Sequence, residues 1–267
     1  MISVVLPTYN RGPLIMRAVK SVLEQTYSDI ELLIVDDGST DCTRAVISAI
    51  QDPRVKYLYQ ETNRGACAVR NIGIRAAKGE YIAFQDSDDV WHPDKLEKQL
   101  SYLKETQSDL VFCAFNRFRE GRNKAKQFPE TQVKSGVISF ETLLKKNLIS
   151  TQTILGKRAC FLKEPFNEKF PRLQDWELVL RLAKHYRICY DARPLADVYL
   201  QGDSISANPQ KGLWAIERII EMHESEIIAH PKAALGIVNE YLHIAHCCKY
   251  NPGKKITRLL KRVRRFD

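Results

Sequence analysis

The sequence predicts an α/β fold in which a mostly parallel sheet lies between helices. Two observations lead to this prediction. Short apolar runs alternate with longer amphipathic stretches through the first half of the 267-residue chain, a pattern typical of parallel strands joined by helices. Polar clusters directly follow three of these runs, and ligands bind beside that edge of such sheets.

The predicted strands are apolar runs rich in Val, Ile and aromatic residues, as expected of strands that are buried on both faces. They are ISVVLP (2–7), IELLIVD (30–36), VKYLY (55–59), YIAFQD (81–86) and LVFCAF (110–115). The helices predicted between and after them lie at about 13–26, 42–51, 66–77, 94–106, 140–147, 175–185 and from 212 onward. The rest of the polar stretch 117–150 shows no clear pattern.

Composition limits the class of protein. The chain does not begin with a basic segment followed by an apolar run, and no apolar run approaches about eighteen residues, so we expect neither a signal peptide nor a membrane-spanning helix. The seven cysteines show no CxxC spacing. This favours reduced thiols and a cytoplasmic location over disulfides or a zinc site.

The formal charge of +9 is concentrated near the end of the chain. The segment 254–265, KKITRLLKRVRR, holds seven Lys and Arg and no acid, so the remainder is nearly neutral and no nucleic-acid partner is predicted. Apolar residues at helical spacing there are Ile256, Leu259, Leu260, Val263 and Phe266. Such a helix suits an anionic membrane surface, although it could instead pack its apolar face on the protein.

Three carboxylates stand close together in FQDSDDVW, residues 84–91. Asp86 and Asp88 are two positions apart, so in an extended or turning segment their side chains can face one ligand. Carboxylate oxygens are the ligands that Mg²⁺ and Mn²⁺ prefer. The alternative is that one or more of these acids, Asp89 included, only cap the helix that follows.

Two further clusters end predicted strands. Asp36 and Asp37 in VDDGSTD could accept hydrogen bonds from a ribose or a base, or could merely cap the next helix. Tyr9 in PTYN could stack on a base. In NRGACAVRNIG (63–73), Arg64 and Arg70 could meet phosphate or could be ordinary surface residues.

QDWELVLRL, residues 174–182, begins a predicted helix with an acid. Asp175 is favourably placed beside the helix dipole there, and it becomes a candidate general base only if the fold brings it to the acid cluster. The chain has no GxGxxG, P-loop, HExxH or GxSxG motif. Carboxylates, arginines and an aromatic ring therefore remain, which suits a metal-bound nucleotide diphosphate better than covalent catalysis.

The succession VVLPTYNR, IVDDGSTD, NRGACAVRNIG, AAKGEYIAFQDSDDVWHPDKL and LQDWELVLRL resembles family 2 glycosyltransferases of the GT-A fold. The resemblance covers residues 1–205. It implies that a GT-A catalytic domain occupies 1–205, with a donor half at about 1–115 and an acceptor half at about 116–205. The C-terminal helical extension with its basic tail would then be 206–267.

The resemblance also implies roles for individual residues. Transfer would proceed with inversion from a nucleotide-activated donor, usually a UDP-sugar, with Mn²⁺ or Mg²⁺ as cofactor and Asp175 as the catalytic base. The residues expected at the donor are Pro7, Thr8, Tyr9, Asp37, Arg64, Asp86 and Ser87. Asp86 and Asp88 form the DxD element, with Asp88 as the direct metal ligand.

Trp91, Gln174 and Trp176 are expected near the acceptor. Gln174 departs from the family, which usually has an acid at this position, so it can bind a hydroxyl but cannot carry charge. We expect an enzyme of cell-surface polysaccharide synthesis that uses a glycan or lipid-linked glycan acceptor at the cytoplasmic face of the inner membrane. The alternative is a non-catalytic protein that binds sugar nucleotide or scaffolds an assembly complex.

Overall fold

The computed structural model describes residues 1–119, 125–130, 133–200 and 208–250. The basic segment 254–265 lies outside the described residues. The strands in the described parts are β1 (Ile2–Thr8), β2 (Ile30–Asp36), β3 (Val55–Tyr59), β4 (Tyr81–Phe84), β5 (Val90–Trp91), β6 (Leu110–Arg119), β7 (Lys126–Phe128), β8 (Gly136–Val137), β9 (Ile154–Lys157) and β10 (Ile188–Leu200).

Ten helices lie in the same described residues. They are α1 (Gly12–Leu23), α2 (Thr43–Ser48), α3 (Ala66–Ala76), α4 (Lys95–Glu105), α5 (Phe140–Lys145), α6 (Arg158–Lys163), α7 (Gln174–Leu182), α8 (Pro209–Met222), α9 (Glu224–Ala229) and α10 (Pro231–Cys247). A short 3₁₀ turn (Thr151–Thr153) precedes β9. No helix among the described residues combines the length and the apolar character needed to cross a membrane.

The strands form one sheet in the order β3-β2-β1-β4-β9-β6-β10-β5, with β7 beside β6 and β8 beside β10. The first four strands in this order are mutually parallel. β6 and β10 are also parallel to each other, whereas β9 runs antiparallel to both β4 and β6. The predicted mostly parallel sheet is therefore confirmed, with an antiparallel strand at its centre that the sequence did not predict.

The five predicted strands and the helices of the first half are present within a few residues of their expected limits. β6 is longer than expected, because it continues to Arg119 beside β10. The helical structure predicted from 212 onward is present in the described residues up to Cys247. The chain forms three helices there, interrupted at His223 and at His230, and Pro231 begins the last of them.

The sheet separates two hydrophobic clusters, and alternate residues of β1 contribute to each. Val5 faces one cluster, and Val4 and Leu6 face the other, as the two-residue period of a strand requires. The cluster that contains Val5 also includes α5, α7 and the apolar sides of α8 and α10. The described helices of the C-terminal extension therefore share a core with the α/β unit.

Gly236 allows this packing. A Cβ atom at that position would overlap the side chain and carbonyl of Lys145, so α10 can approach the end of α5 closely only with glycine. The division of the chain at residue 205 stays a prediction, because the segment 201–207 is outside the described residues.

Candidate active site

A cleft of about 940 Å³ opens at the edge where β1, β2 and β4 end. Nine of the residues expected at the site line it. They are Pro7, Thr8, Tyr9, Asp37, Asp86, Ser87, Asp88, Gln174 and Asp175. Parallel strands place their carboxyl ends together, which brings the first three motifs to one place. The start of α7 completes the opposite wall.

The loop after β1 is tied to the loop after β2. The amide oxygen of Asn10 accepts a hydrogen bond from the Thr40 N–H at 2.8 Å, and the Asn10 N–H donates to the Ser39 hydroxyl at 2.9 Å. Tyr9 beside them is 45% exposed. The loop that carries Tyr9 is therefore fixed, while the Tyr9 ring is accessible to a planar ligand.

The two acids at the end of β2, Asp36 and Asp37, have different surroundings. Asp36 is fully buried and accepts hydrogen bonds from the Tyr57 hydroxyl at 2.6 Å and the Ser39 N–H at 2.9 Å. Asp37 lines the cleft, and its two carboxylate oxygens accept the N–H groups of Arg64 and Gly65. Burial raises the pKa of Asp37, which these hydrogen bonds oppose. Asp36 therefore braces the loop, and Asp37 is the acid available to a ligand.

Arg64 is the one residue expected at the donor that does not line the cleft. Its side chain is exposed and is not part of the cleft lining. Its backbone N–H instead donates to Asp37 at 2.7 Å. The arginine of this motif that lines the cleft is Arg70, on the first turns of α3.

The three acids of the DSDD turn make different contacts. Asp86 pairs with Arg70 at 2.7 Å, and the backbone carbonyl of Asp88 accepts a hydrogen bond from Arg17. Asp89 is only 3% exposed. Its carboxylate accepts hydrogen bonds from the Gln152 amide at 2.6 Å and the Tyr199 N–H at 2.9 Å.

Asp89 is a structural residue of the turn. Burial first, and then the charges of Asp86 and Asp88, raise its pKa well above the ordinary value. Through Gln152 and Tyr199 it connects the turn to the 3₁₀ segment and to β10. The sequence offered no signal for these two partners, which lie far along the chain.

Asp175 is the second residue of α7 and faces the cleft. Leu173, just before the helix, has a left-handed backbone with φ of 57°, uncommon for a bulky residue, and this turns the first residues of α7 into the cleft. One oxygen of Asp175 accepts the Trp176 N–H at 2.8 Å. Burial raises the pKa of Asp175 to about 6, against the opposing charge of Arg70.

Arg70 connects the two walls of the cleft. This side chain is 5% exposed. One nitrogen of its guanidinium donates to the Gln174 amide oxygen at 2.7 Å and the other donates to Asp86 at 2.7 Å. The Gln174 amide nitrogen donates in turn to the Phe170 carbonyl at 3.0 Å. The orientation of α7 is thereby linked to that of the DSDD turn.

Trp91 and Trp176 are not acceptor contacts, contrary to expectation. They are 2% and 1% exposed. The Trp91 indole donates to the Gln152 carbonyl, and the Trp176 indole donates to the Leu143 carbonyl. Large apolar rings with a satisfied N–H are ordinary core residues. Both side chains therefore stabilise the elements behind the cleft.

The cleft fits a divalent cation that is held mainly by a ligand. Within the described part of the chain, no group of three or more His, Cys, Asp and Glu side chains could hold a metal by itself. Asp86 and Asp88 do line the cleft with carboxylates. Mg²⁺ and Mn²⁺ bind well to one or two carboxylates together with substrate phosphates, so this donor set suits them.

Comparison with known proteins identifies the family. The family model described as "Glycosyl transferase family 2" matches residues 3–170, more than half of the chain. The chain belongs to glycosyl transferase family 2. The matched residues include the loops after β1 and β2 and the DSDD turn, and Asp175 lies just beyond them.

This glycosyltransferase resembles curated proteins along nearly its whole length. It is 31% identical to UDP-Glc:alpha-D-GlcNAc-diphosphoundecaprenol beta-1,3-glucosyltransferase WfgD of Escherichia coli, over 96% of this chain and 98% of that protein. It is 33% identical to the putative teichuronic acid biosynthesis glycosyltransferase TuaG of Bacillus subtilis, over 83% of this chain and 88% of that protein.

Solved structures show the same fold. TarS of S. aureus in complex with UDP-GlcNAc superimposes on this glycosyltransferase with a TM-score of 0.72 at 21% identity, covering 95% of this chain and 74% of that one. The mannosyltransferase PcManGT of Pyrobaculum calidifontis, in complex with GDP-Man and Mn²⁺, gives a TM-score of 0.62 at 18% identity, covering 98% and 84%. The predicted GT-A fold is thus confirmed.

Proposed function

We propose that this glycosyltransferase transfers a hexose or N-acetylhexosamine from a UDP-sugar to a hydroxyl group of a lipid-linked glycan, with inversion at the anomeric carbon. The observation that carries the proposal is the position of Asp175. This half-buried acid, with a raised pKa, shares one cleft with Asp86 and Asp88, and Arg70 joins the two walls.

The donor half of the cleft suits a nucleoside diphosphate. Tyr9 offers an exposed ring for a base, and Asp37 offers carboxylate oxygens whose positions are fixed by the N–H groups of Arg64 and Gly65. Asp86 and Asp88 would hold Mn²⁺ or Mg²⁺, which would supply positive charge to the departing diphosphate. Pro7, Thr8 and Ser87 complete the lining.

Asp175 is suited to act as a general base. Its pKa of about 6 leaves it ionised at neutral pH, yet basic enough to accept the proton of an attacking hydroxyl. The hydroxyl oxygen forms a bond to the anomeric carbon while the bond to UDP breaks, and the proton passes to Asp175. A single displacement inverts the stereocentre. Gln174, next to Asp175 in the chain, would orient the acceptor. The Gln174 amide oxygen itself accepts a hydrogen bond from Arg70.

The acceptor class rests on the relatives. WfgD, by its name, uses UDP-Glc and a GlcNAc-diphosphoundecaprenol acceptor, and it aligns with nearly the entire chain. We extend this chemistry to a role in cell-surface polysaccharide synthesis at the cytoplasmic face of the membrane, where the segment 254–267 would bind anionic lipid. Liposome co-sedimentation of the full chain and a chain ending at 253 tests the last point, and equal sedimentation of the two would contradict it.

A transfer assay tests the reaction. UDP-Glc, UDP-GlcNAc, UDP-Gal and GDP-Man are each supplied with Mn²⁺ and a synthetic GlcNAc-diphosphate lipid, and products are identified by mass spectrometry. We expect transfer from one UDP-sugar, loss of transfer with chelator, and a β-linked product from the α-linked donor. Absence of transfer with every donor, together with retained nucleotide binding, would favour the non-catalytic alternative.

A further inference from the structure

Two basic residues line the same cleft as Asp175 and have no ion pair within the described residues. These are Arg172, in the segment that leads into α7, and Lys211, in the first turn of α8. Arg70, by contrast, pairs with Asp86. The polar contact of the Arg172 guanidinium is a hydrogen bond of 3.2 Å to the Asn208 carbonyl. Neither of these two positive charges is therefore engaged in an ion pair in the described structure.

Arg172 is fixed in place by its packing. A Cβ atom at Gly212 would lie 2.5 Å from the Arg172 guanidinium, so the glycine lets α8 approach this side chain directly. Burial lowers the pKa of Arg172, yet arginine remains charged at neutral pH. A half-buried cation without an acid partner is costly, and an anionic ligand would remove that cost.

The first turn of α8 adds to the positive character of this wall. Asn208 caps the helix by accepting the Lys211 N–H at 3.0 Å, and the aligned peptide dipoles give this end of the helix a partial positive charge. Arg172 interacts electrostatically with Asp175, so this charge lies close to the base. Tyr9 and Asp37, the residues proposed to contact the nucleoside, lie in the loops after β1 and β2 and therefore in a different wall of the cleft.

The chemistry of the proposed acceptor calls for a cationic group at this position. In a sugar diphosphate lipid, the diphosphate is attached to the same ring whose hydroxyl attacks the donor. When that hydroxyl meets Asp175, the phosphates lie within one sugar ring of the base. Arginine and lysine are the usual partners of phosphate in proteins.

We propose that Arg172 and Lys211 form a subsite that binds the diphosphate of the lipid-linked acceptor. The inference rests on the proposed function, and it adds a basis for acceptor selection: the enzyme would prefer an acceptor whose first sugar carries a diphosphate over the same sugar in a neutral glycoside.

Calorimetry with two matched acceptor analogues tests this subsite. Both analogues carry the same sugar and the same short alkyl chain, one through a diphosphate and the other through a simple glycosidic bond. Binding is measured with UDP and Mn²⁺ at saturation, so that the donor diphosphate site is already filled. Charged hydrogen bonds each contribute roughly tenfold in affinity, so wild type should prefer the diphosphate analogue by about 10- to 100-fold.

Five variants are compared with wild type: the double variant Arg172→Gln with Lys211→Gln, each of its two single variants, Arg117→Gln and Arg218→Gln. Arg218 lies on the same helix as Lys211, outside the cleft lining, and pairs with Glu221. We expect the double variant to lose the diphosphate preference without losing UDP affinity, and Arg218→Gln to keep it.

Three results would overturn the proposal. Wild type could show no preference for the diphosphate analogue, or the double variant could keep the preference. The preference could also disappear in Arg117→Gln alone, which would assign the phosphate to Arg117, another cation in the cleft lining. Because the assay measures binding, absence of sugar transfer would refute the proposed function while leaving a positive binding result for the subsite intact.

Discussion

Arg70 and Gln174 are joined by a hydrogen bond of 2.7 Å, although they are 104 residues apart in the chain. The same guanidinium pairs with Asp86 at 2.7 Å. Gln174 is uncharged, so it cannot share in neutralising Arg70. The ion pair with Asp86 is therefore the stronger of the two contacts. It fixes the side chain of Asp86 within the DSDD turn.

Replacing Arg70 should impair catalysis through loss of positioning. Arg70→Met removes the hydrogen bonds to Gln174 and Asp86, so the DSDD turn is no longer connected to α7 through this side chain. We expect kcat for sugar transfer to fall by about 10²-fold, the typical effect of a small displacement of reacting groups. Arg75→Met is the control, because Arg75 is exposed on the same helix. Near-normal kcat in a folded Arg70→Met variant would show that the bridge is dispensable.

Adding an acid beside the base should move the pH profile. Gln174→Glu places a carboxylate next to Asp175, and a like charge raises the pKa of a neighbouring acid. The variant should lose several-fold in rate at pH 6 and stay within about twofold of wild type at pH 8, where Asp175 is ionised in both. The measurement is kcat from pH 5 to pH 9. If kcat of the variant fell below neutral pH in the same way as kcat of wild type, the prediction would be contradicted.

Removing the base should lower turnover but not donor binding. Asp175→Asn should reduce kcat by about 10²–10⁴-fold, the usual contribution of a general base. The Kd for UDP with Mn²⁺ should be unchanged. The wild-type rate should fall about tenfold per pH unit below the pKa of about 6, because the base is then protonated. A variant with normal turnover would exclude Asp175 as the base.

The same substitution should stabilise the protein. The folded-state pKa of Asp175 is about 6, above its ordinary value of 3.8, so folding favours the protonated acid. The free energy of unfolding of wild type should therefore fall as the pH rises from about 4 to about 6. Asp175→Asn should remove this loss and gain at most about 3 kcal/mol at neutral pH, measured by urea denaturation.

Asp89 should matter for stability more than an average surface acid. Asp89→Ala leaves the Gln152 amide and the Tyr199 N–H without their acceptors, and each unsatisfied buried donor costs about 1–3 kcal/mol. We expect a loss of about 2–4 kcal/mol in the free energy of unfolding. Asp29→Ala, at an exposed acid paired with the N-terminus, should lose less than about 1 kcal/mol.

His223 should be a source of acid sensitivity. It is 1% exposed, and neither ring nitrogen has a hydrogen-bond partner in the described structure. Burial lowers its pKa from 6.5 to about 4, so the unfolded chain binds the proton first as the pH falls below about 6.5. His223→Leu should raise the free energy of unfolding by about 1–2 kcal/mol at pH 5, and exposed His243→Leu should not.

The sequence alone was sufficient to predict the parallel half of the sheet and the motif residues at its edge. Buried strands and strand-end loops have local patterns, so Tyr9, Asp37, Asp86 and Asp88 could be placed without coordinates. The central antiparallel β9 has no such pattern, since Ile154–Lys157 is short and its partners β4 and β6 are far away in sequence.

Side-chain partnerships were the least predictable part of the site. Arg70 differs little from Arg64 in its sequence surroundings, yet one is buried and bridging and the other is exposed. Trp91 and Trp176 flank site motifs but turn into the core, because one step along a strand reverses the direction of a side chain and one step along a helix rotates it to another face. Only the tertiary contacts decide such cases.

The sheet order also constrains how the enzyme is made. The strands β1 to β4, which carry Tyr9, Asp37 and the start of the DSDD turn, lie in the first part of the chain and pair with one another. β6 obtains its parallel neighbour β10 only when Ile188–Leu200 has been synthesised. On the ribosome, the nucleotide half can therefore take shape first, and the cleft can close only after most of the chain has emerged.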